Sequence, residues 1–262
     1  MDSKTNFKVA RVVILFWMMG WFIKILFFGP YLLETAMVYP LRVSFFPSFF
    51  SDHRISAVFY FLPVCVLAVF FVERKPVFIS SAALMLVCAA VMNLHVNTHN
   101  DATFVTTFWA ALWLCWFVFR MDRLDESVAL HGRFLVQCLL GMIFMAGTFG
   151  KLMDEFSNGE IIFNIFISQG EGSPLRWILG GLSPQLQGLV VAWISKVIIF
   201  SEGALILSPL LPFRWVVRLG ICALPVITLF STWRILSVLS PLIGLLVACS
   251  LWDKFDQKGQ VP

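Results

Sequence analysis

Residues 94–120 read LHVNTHNDATFVTTFWAALWLCWFVFR. From Ala102 to Phe119 no side chain is charged, and the run is long enough to cross a bilayer as one helix. Immediately before it stands a short polar stretch with His95, Asn97, His99 and Asp101. Further apolar runs lie on either side of this pair of features. Their lengths predict eight membrane helices over residues 10–29, 55–72, 77–94, 102–119, 134–152, 189–208, 213–230 and 235–252. Prolines and charges punctuate the gaps: Pro30, Pro40 and Pro47, the run Glu73-Arg74-Lys75-Pro76, residues 120–133, and Pro209 with Pro212. Pro225 falls inside the seventh span, where neighbouring helices can satisfy the freed carbonyl.

Composition agrees with that reading. The 262 residues are 60% hydrophobic and 13% charged, about half the charge of an ordinary soluble domain. The fold expected is an all-α polytopic integral membrane protein, a single membrane domain over 1–262 with its core at about 10–252. The bilayer is then its first partner. A net charge of +4 is no nucleic-acid signal, because in such a chain the placement of Lys and Arg matters more than their sum. Segments on the N-terminal side of the membrane hold Lys4, Lys8, Arg11, Arg74, Lys75, Arg120, Arg123, Arg133, Arg214, Arg218, Lys254 and Lys258. The opposite segments hold only Arg42, Arg54, Arg176 and Arg234. This asymmetry predicts that both termini are cytoplasmic. The basic start MDSKTNFKVARVV lacks a small-x-small cleavage site after its apolar run, and it reads as a retained first helix.

The remaining chemistry lies in a few polar residues. Six cysteines are scattered singly with no C-x-x-C, as expected of small buried hydrophobes rather than a redox pair. Four histidines are too few for a membrane di-iron centre, and no haem is expected. Neither a G-x-S-x-G nor a Walker or Rossmann glycine pattern occurs. Lys24, Lys151, Lys196 and Glu202 lie in or at the ends of apolar runs, where ionisable groups are costly and usually face a partner or a cavity. Topology assigns the lysines and the 94–101 hairpin to the outer side. Lys24 and Lys196 can snorkel to headgroups, and Glu202 can act as a hydrogen-bonding link between helices. Lys151 follows Gly141, Ala146, Gly147 and Gly150, small residues that permit close helix packing. A lysine held against protein rather than lipid there is a candidate base.

The stretch FMAGTFGKLMDEF (144–156) resembles a signature of vitamin K-dependent gamma-carboxylases, of bacterial relatives with an HTTM domain, and more distantly of DoxX and MauE proteins. The matching residues are Ala146-Gly147, Lys151-Leu152, Phe156 and Gly159, with a spacer one residue longer than in the carboxylases. NTHNDATFVTTFWAALWL (97–114) is similar to the family's Asn-x-His segment. SEGALILSPLLPFRWVVRLG (201–220) is similar to its Glu, apolar run, Pro and Arg. Two features of the family are missing: a histidine after the Pro-Arg turn, and the large soluble region of animal carboxylases.

The resemblance implies an enzyme of a bacterial inner or plasma membrane that uses a reduced, vitamin K-like quinone and oxygen. It makes Lys151 the catalytic base and His99 its assistant. Asn97, His95, Asp101, Lys24 and Glu202 would then line the substrate site, with a peptide or protein substrate at the outer face. The competing expectation is a non-catalytic maturation or interaction factor for a secreted peptide or redox protein, with the polar hairpin as its dock. A lysine base would be lost in both Lys151→Ala and Lys151→Arg, whereas a docking cation would tolerate arginine.

Overall fold

The computed structural model describes residues 3–34, 53–94, 102–123, 126–164, 179–229 and 235–258. All regular structure among them is helical. The helices are α1 (Ser3–Glu34), α2 (His53–Phe61), α3 (Lys75–Leu94), α4 (Ala102–Arg120), α5 (Glu126–Phe149), α6 (Asp154–Ser157), α7 (Glu160–Ile162), α8 (Pro184–Ile206), α9 (Phe213–Leu229) and α10 (Ile235–Lys258). Most described residues of each of the eight apolar runs are helical. Among the described residues, five stretches are long and apolar enough to cross a membrane: Thr5–Phe27, Lys75–Asn93, Ala102–Arg120, Val128–Phe149 and Pro184–Ile206. Ala57–Phe70 and Ile235–Leu251 are shorter apolar helices.

Two boundaries differ from expectation. The first helix runs through Pro30 to Glu34, so the missing proline N–H costs one hydrogen bond without ending the helix. The fifth stops at Phe149, two residues before Lys151. The second segment changes character part-way, because α2 continues as a 3₁₀ helix from Leu62 to Phe70 that opens with Pro63 in its first turn. A 3₁₀ helix rises further per residue than an α-helix. Together the two pieces therefore extend about 31 Å, close to the apolar thickness of a bilayer, with only 18 residues.

The chain forms two compact units. The first comprises Met1–Gly132 and Ser237–Pro262. Here α3 and α4 form a helical hairpin, and α1 packs against α4. The core is aromatic: Trp17 and Trp21 stack with centroids 4.6 Å apart, and Phe104 meets Trp21 edge-on at 5.5 Å. An indole N–H in apolar surroundings needs an acceptor. Trp17 donates to the Thr107 carbonyl and Trp21 to the Tyr60 carbonyl, each at 2.8 Å. Glycines bring α10 up to α1. A Cβ on Gly20 would lie 2.6 Å from the Ser237 carbonyl oxygen, and one on Gly244 would lie 2.5 Å from Phe16 Cβ. Thr103 of α4 and Ser237 of α10 are joined through their hydroxyls at 2.7 Å.

One end of this unit is tied by polar contacts. Arg11 pairs with Glu73 at 2.8 Å and donates to the Val69 carbonyl, Lys75 pairs with Asp122, and Asn6 donates to the Met121 carbonyl. The start of α1, the α2–α3 turn and the end of α4 are thereby gathered together, as alternation of the helices requires.

The second unit is Arg133–Leu236. Here α8 packs on α9, and α6 and α7 lie along α8. Pro212 has no N–H to offer the Ser208 carbonyl one turn back, and Gln137 of α5 supplies the donor. Its amide reaches Ser208 O at 2.9 Å and Leu211 O at 2.6 Å. One turn further along α5, a Cβ on Gly141 would lie 2.9 Å from Pro209 Cδ. So α5 ascends as α8 descends, and the antiparallel contact leads to residue 151 on one side and residue 202 on the other.

Candidate functional site

The site in the second unit is built where α5 breaks. After Phe149 the chain makes a turn in which Gly150 N–H donates to Ala146 O, Lys151 N–H to Thr148 O and Leu152 N–H to Phe149 O. The last carbonyls of the helix are thus occupied within two residues. The chain then passes through α6 and reaches Gly159, whose φ of +83° only glycine adopts without strain. At that point no side chain separates it from α8: a Cβ on Gly159 would lie 2.7 Å from Ala192 N and 2.9 Å from Val191 C. Ile162 completes the seal against Val191, Ile194 and Ile198, with Phe156 and Phe163 packed at its edge.

Lys151 emerges from this turn and meets Glu202 of α8. Its Nζ lies 2.8 Å from Glu202 Oε1 and 2.7 Å from Oε2, the two-oxygen geometry of a strong charged hydrogen bond. The third contact of Nζ is the Gly147 carbonyl at 3.4 Å, and the Phe156 ring centroid lies 5.8 Å away. The glutamate is 5% exposed and the lysine side chain 28%, so the pair is open on the lysine side. Gly147 contributes by lacking a side chain, since its Cβ would stand 3.4 Å from Glu202 Oε2 and 3.6 Å from Nζ.

Two buried hydroxyls on these helices have no partner among the described residues: Thr148 Oγ1, three residues before the lysine, and Ser195 Oγ, seven residues before the glutamate on the same face of α8. Elsewhere Thr106, Thr107, Thr228 and Ser250 each donate back to a carbonyl of their own helix.

Of the residues singled out in the sequence, the structure brings together Lys151 and Glu202. Lys24 belongs to the first unit. It is 7% exposed rather than snorkelling, with its Nζ 5.6 Å from the Phe104 ring centroid. Lys196 is exposed beside the Trp193 ring, and its position six residues from Glu202 puts it on another face of α8. His95, Asn97, His99 and Asp101 lie outside the described residues. In the sequence Phe156 and Gly159 stand out only as parts of a motif, and Thr148 and Ser195 carry no signal at all. Comparison with protein-family models, with curated proteins and with solved structures finds no match.

Proposed function

We propose that the chain is an eight-span enzyme of a plasma membrane with both termini cytoplasmic. In this reading it handles the proton of a lipid-soluble quinol, in oxygen-dependent chemistry of the carboxylase type, at the Lys151–Glu202 pair. The observation that carries the reading is the pair itself: a cation at the end of one apolar helix in direct contact with a carboxylate within another, closed on the glutamate side and open on the lysine side. Ionisable groups within or at the ends of apolar helices are functional candidates by default.

The residues around the opening fit an aromatic, lipid-borne substrate. Phe156 offers a ring face beside the ammonium, Gly147 and Gly150 leave room, and Phe149, Leu152 and Met153 present exposed apolar side chains. A reduced quinone, when bound, would supply an acidic hydroxyl and the two electrons that oxygen accepts. The protein's part is to hold that hydroxyl against the pair, take its proton, and keep bulk water away with the Ile162–Ile198 packing. A peptide or other carbon acid at the outer face would be the final substrate.

The test is quinol consumption and epoxide formation under oxygen by protein in lipid, with reduced vitamin K or a menaquinol. Loss of both in Lys151→Ala supports the reading, and turnover that survives the substitution refutes it. One observation favours the alternative, a non-catalytic maturation factor: the pair satisfies itself, as a structural clasp between α5 and α8 would. In that case no quinol is consumed by the wild type.

A further inference from the structure

We infer that the proton acceptor of the pair is Glu202, and that Lys151 is a fixed cation stabilising the anion left behind. The inference rests on the quinol reading and reassigns the roles within it. An ammonium has three N–H donors and no acceptor, whereas a neutral amine has two donors and a lone pair that needs a donor. Nζ of Lys151 has three polar neighbours among the described residues, Glu202 Oε1, Glu202 Oε2 and Gly147 O: the carbonyl is an acceptor, and contact with both carboxyl oxygens at 2.7–2.8 Å is the geometry of an ammonium donating to an ionised carboxylate. The Phe156 ring is also electron-rich on its face. The amine stands at the C-terminal end of α5, where the helix dipole favours a cation. Asp154 and Glu155, the nearest charged residues along the chain, are exposed and also negative. No described donor is aimed at a lysine lone pair.

Charge conservation points the same way. In the step inferred, the O–H bond of the substrate breaks and its electron pair stays on the substrate oxygen beside the Lys151 ammonium. The proton bonds to a Glu202 carboxylate oxygen. The site is neutral before and after: ammonium with carboxylate becomes ammonium with substrate anion, and the carboxyl is uncharged. A neutral lysine beside ionised Glu202 would instead leave a carboxylate that is 5% exposed without a counter-charge, which an apolar interior strongly disfavours.

Two measurements on the full chain in lipid test this. The first needs no substrate: an amine-acylating reagent attacks only unprotonated lysine. Acylation of Lys151 should be at least several-fold slower in the wild type than in Glu202→Gln, with exposed Lys196 as an internal standard unaffected by the substitution. Lys151 acylating as fast in the wild type as in Glu202→Gln would overturn the inference. The second is quinol turnover. Glu202→Gln should lose about a hundred-fold or more, the usual worth of a general base, while Lys151→Arg keeps part of the rate because it keeps the cation. Full activity in Glu202→Gln, or Lys151→Arg as inactive as Lys151→Ala, would restore the lysine as base. Absence of quinol turnover in the wild type sinks the quinol reading alone, and the acylation rates still decide where the resting proton sits. Chromatographic monodispersity of each variant separates lost chemistry from lost folding.

Discussion

Lys24 lies within α1 and Lys151 just past the end of α5, and the surroundings of these two lysines differ in kind. Lys24 lies in the first unit, on the continuous helix α1, where indoles donate to carbonyls, Thr107 donates within its own helix and Thr103 pairs with Ser237. Its ammonium lies by the Phe104 ring within an aromatic core. Lys151 lies in the second unit, where α5 ends and the chain continues as short pieces pressed on α8. Lys151 stands at a helix break with a buried carboxylate opposite, and that pairing marks it as the candidate site.

Substitutions can break that contrast. The largest effect is expected at the pair: Lys151→Met leaves Glu202 buried and unpaired, and should cost about 3 kcal/mol in unfolding measured in detergent. Adding Glu202→Leu should recover much of that loss, so the double variant is more stable than Lys151→Met alone. Additive losses would mean that the two side chains do not interact. Next comes Gly159→Ala, which combines a left-handed backbone with a collision against the α8 backbone, at about 2 kcal/mol. It should lower turnover as well as stability, because the same segment carries Phe156. Its counterpart in the first unit, Gly20→Ala, meets the Ser237 carbonyl and should cost about 1–3 kcal/mol while leaving chemistry at the pair unchanged. Gln137→Leu removes the donor to Ser208 and Leu211 and should cost about 1–2 kcal/mol in the same unfolding assay. Smallest is Thr148→Val. Its hydroxyl has no partner to lose, so stability should hold or rise slightly, whereas Thr103→Val should lose about 1 kcal/mol with the Ser237 contact.

The helices were legible because hydropathy and length are local properties, and the described residues of the apolar runs are largely helical. The 3₁₀ continuation from Leu62 was not, since composition does not separate it from the α-helix it extends. At the site, Lys151 and Glu202 each stood out as ionisable residues among apolar ones. Their pairing did not, because 51 residues separate them and helical periodicity relates only neighbours three or four apart. A histidine in the polar hairpin was the sequence's choice of partner for Lys151, on resemblance alone. Gly159 was visible as a glycine, but its need for a positive φ and for bare contact with Ala192 arises only once α8 is in place.

The most direct test of the central claim is oxygen uptake driven by a menaquinol, compared in lipid for the wild type, Lys151→Ala, Glu202→Gln and the double variant. The account expects uptake in the wild type, background rates in each single variant, and no further loss in the double variant, because the two residues act as one unit. Uptake that survives in Lys151→Ala or Glu202→Gln would contradict it.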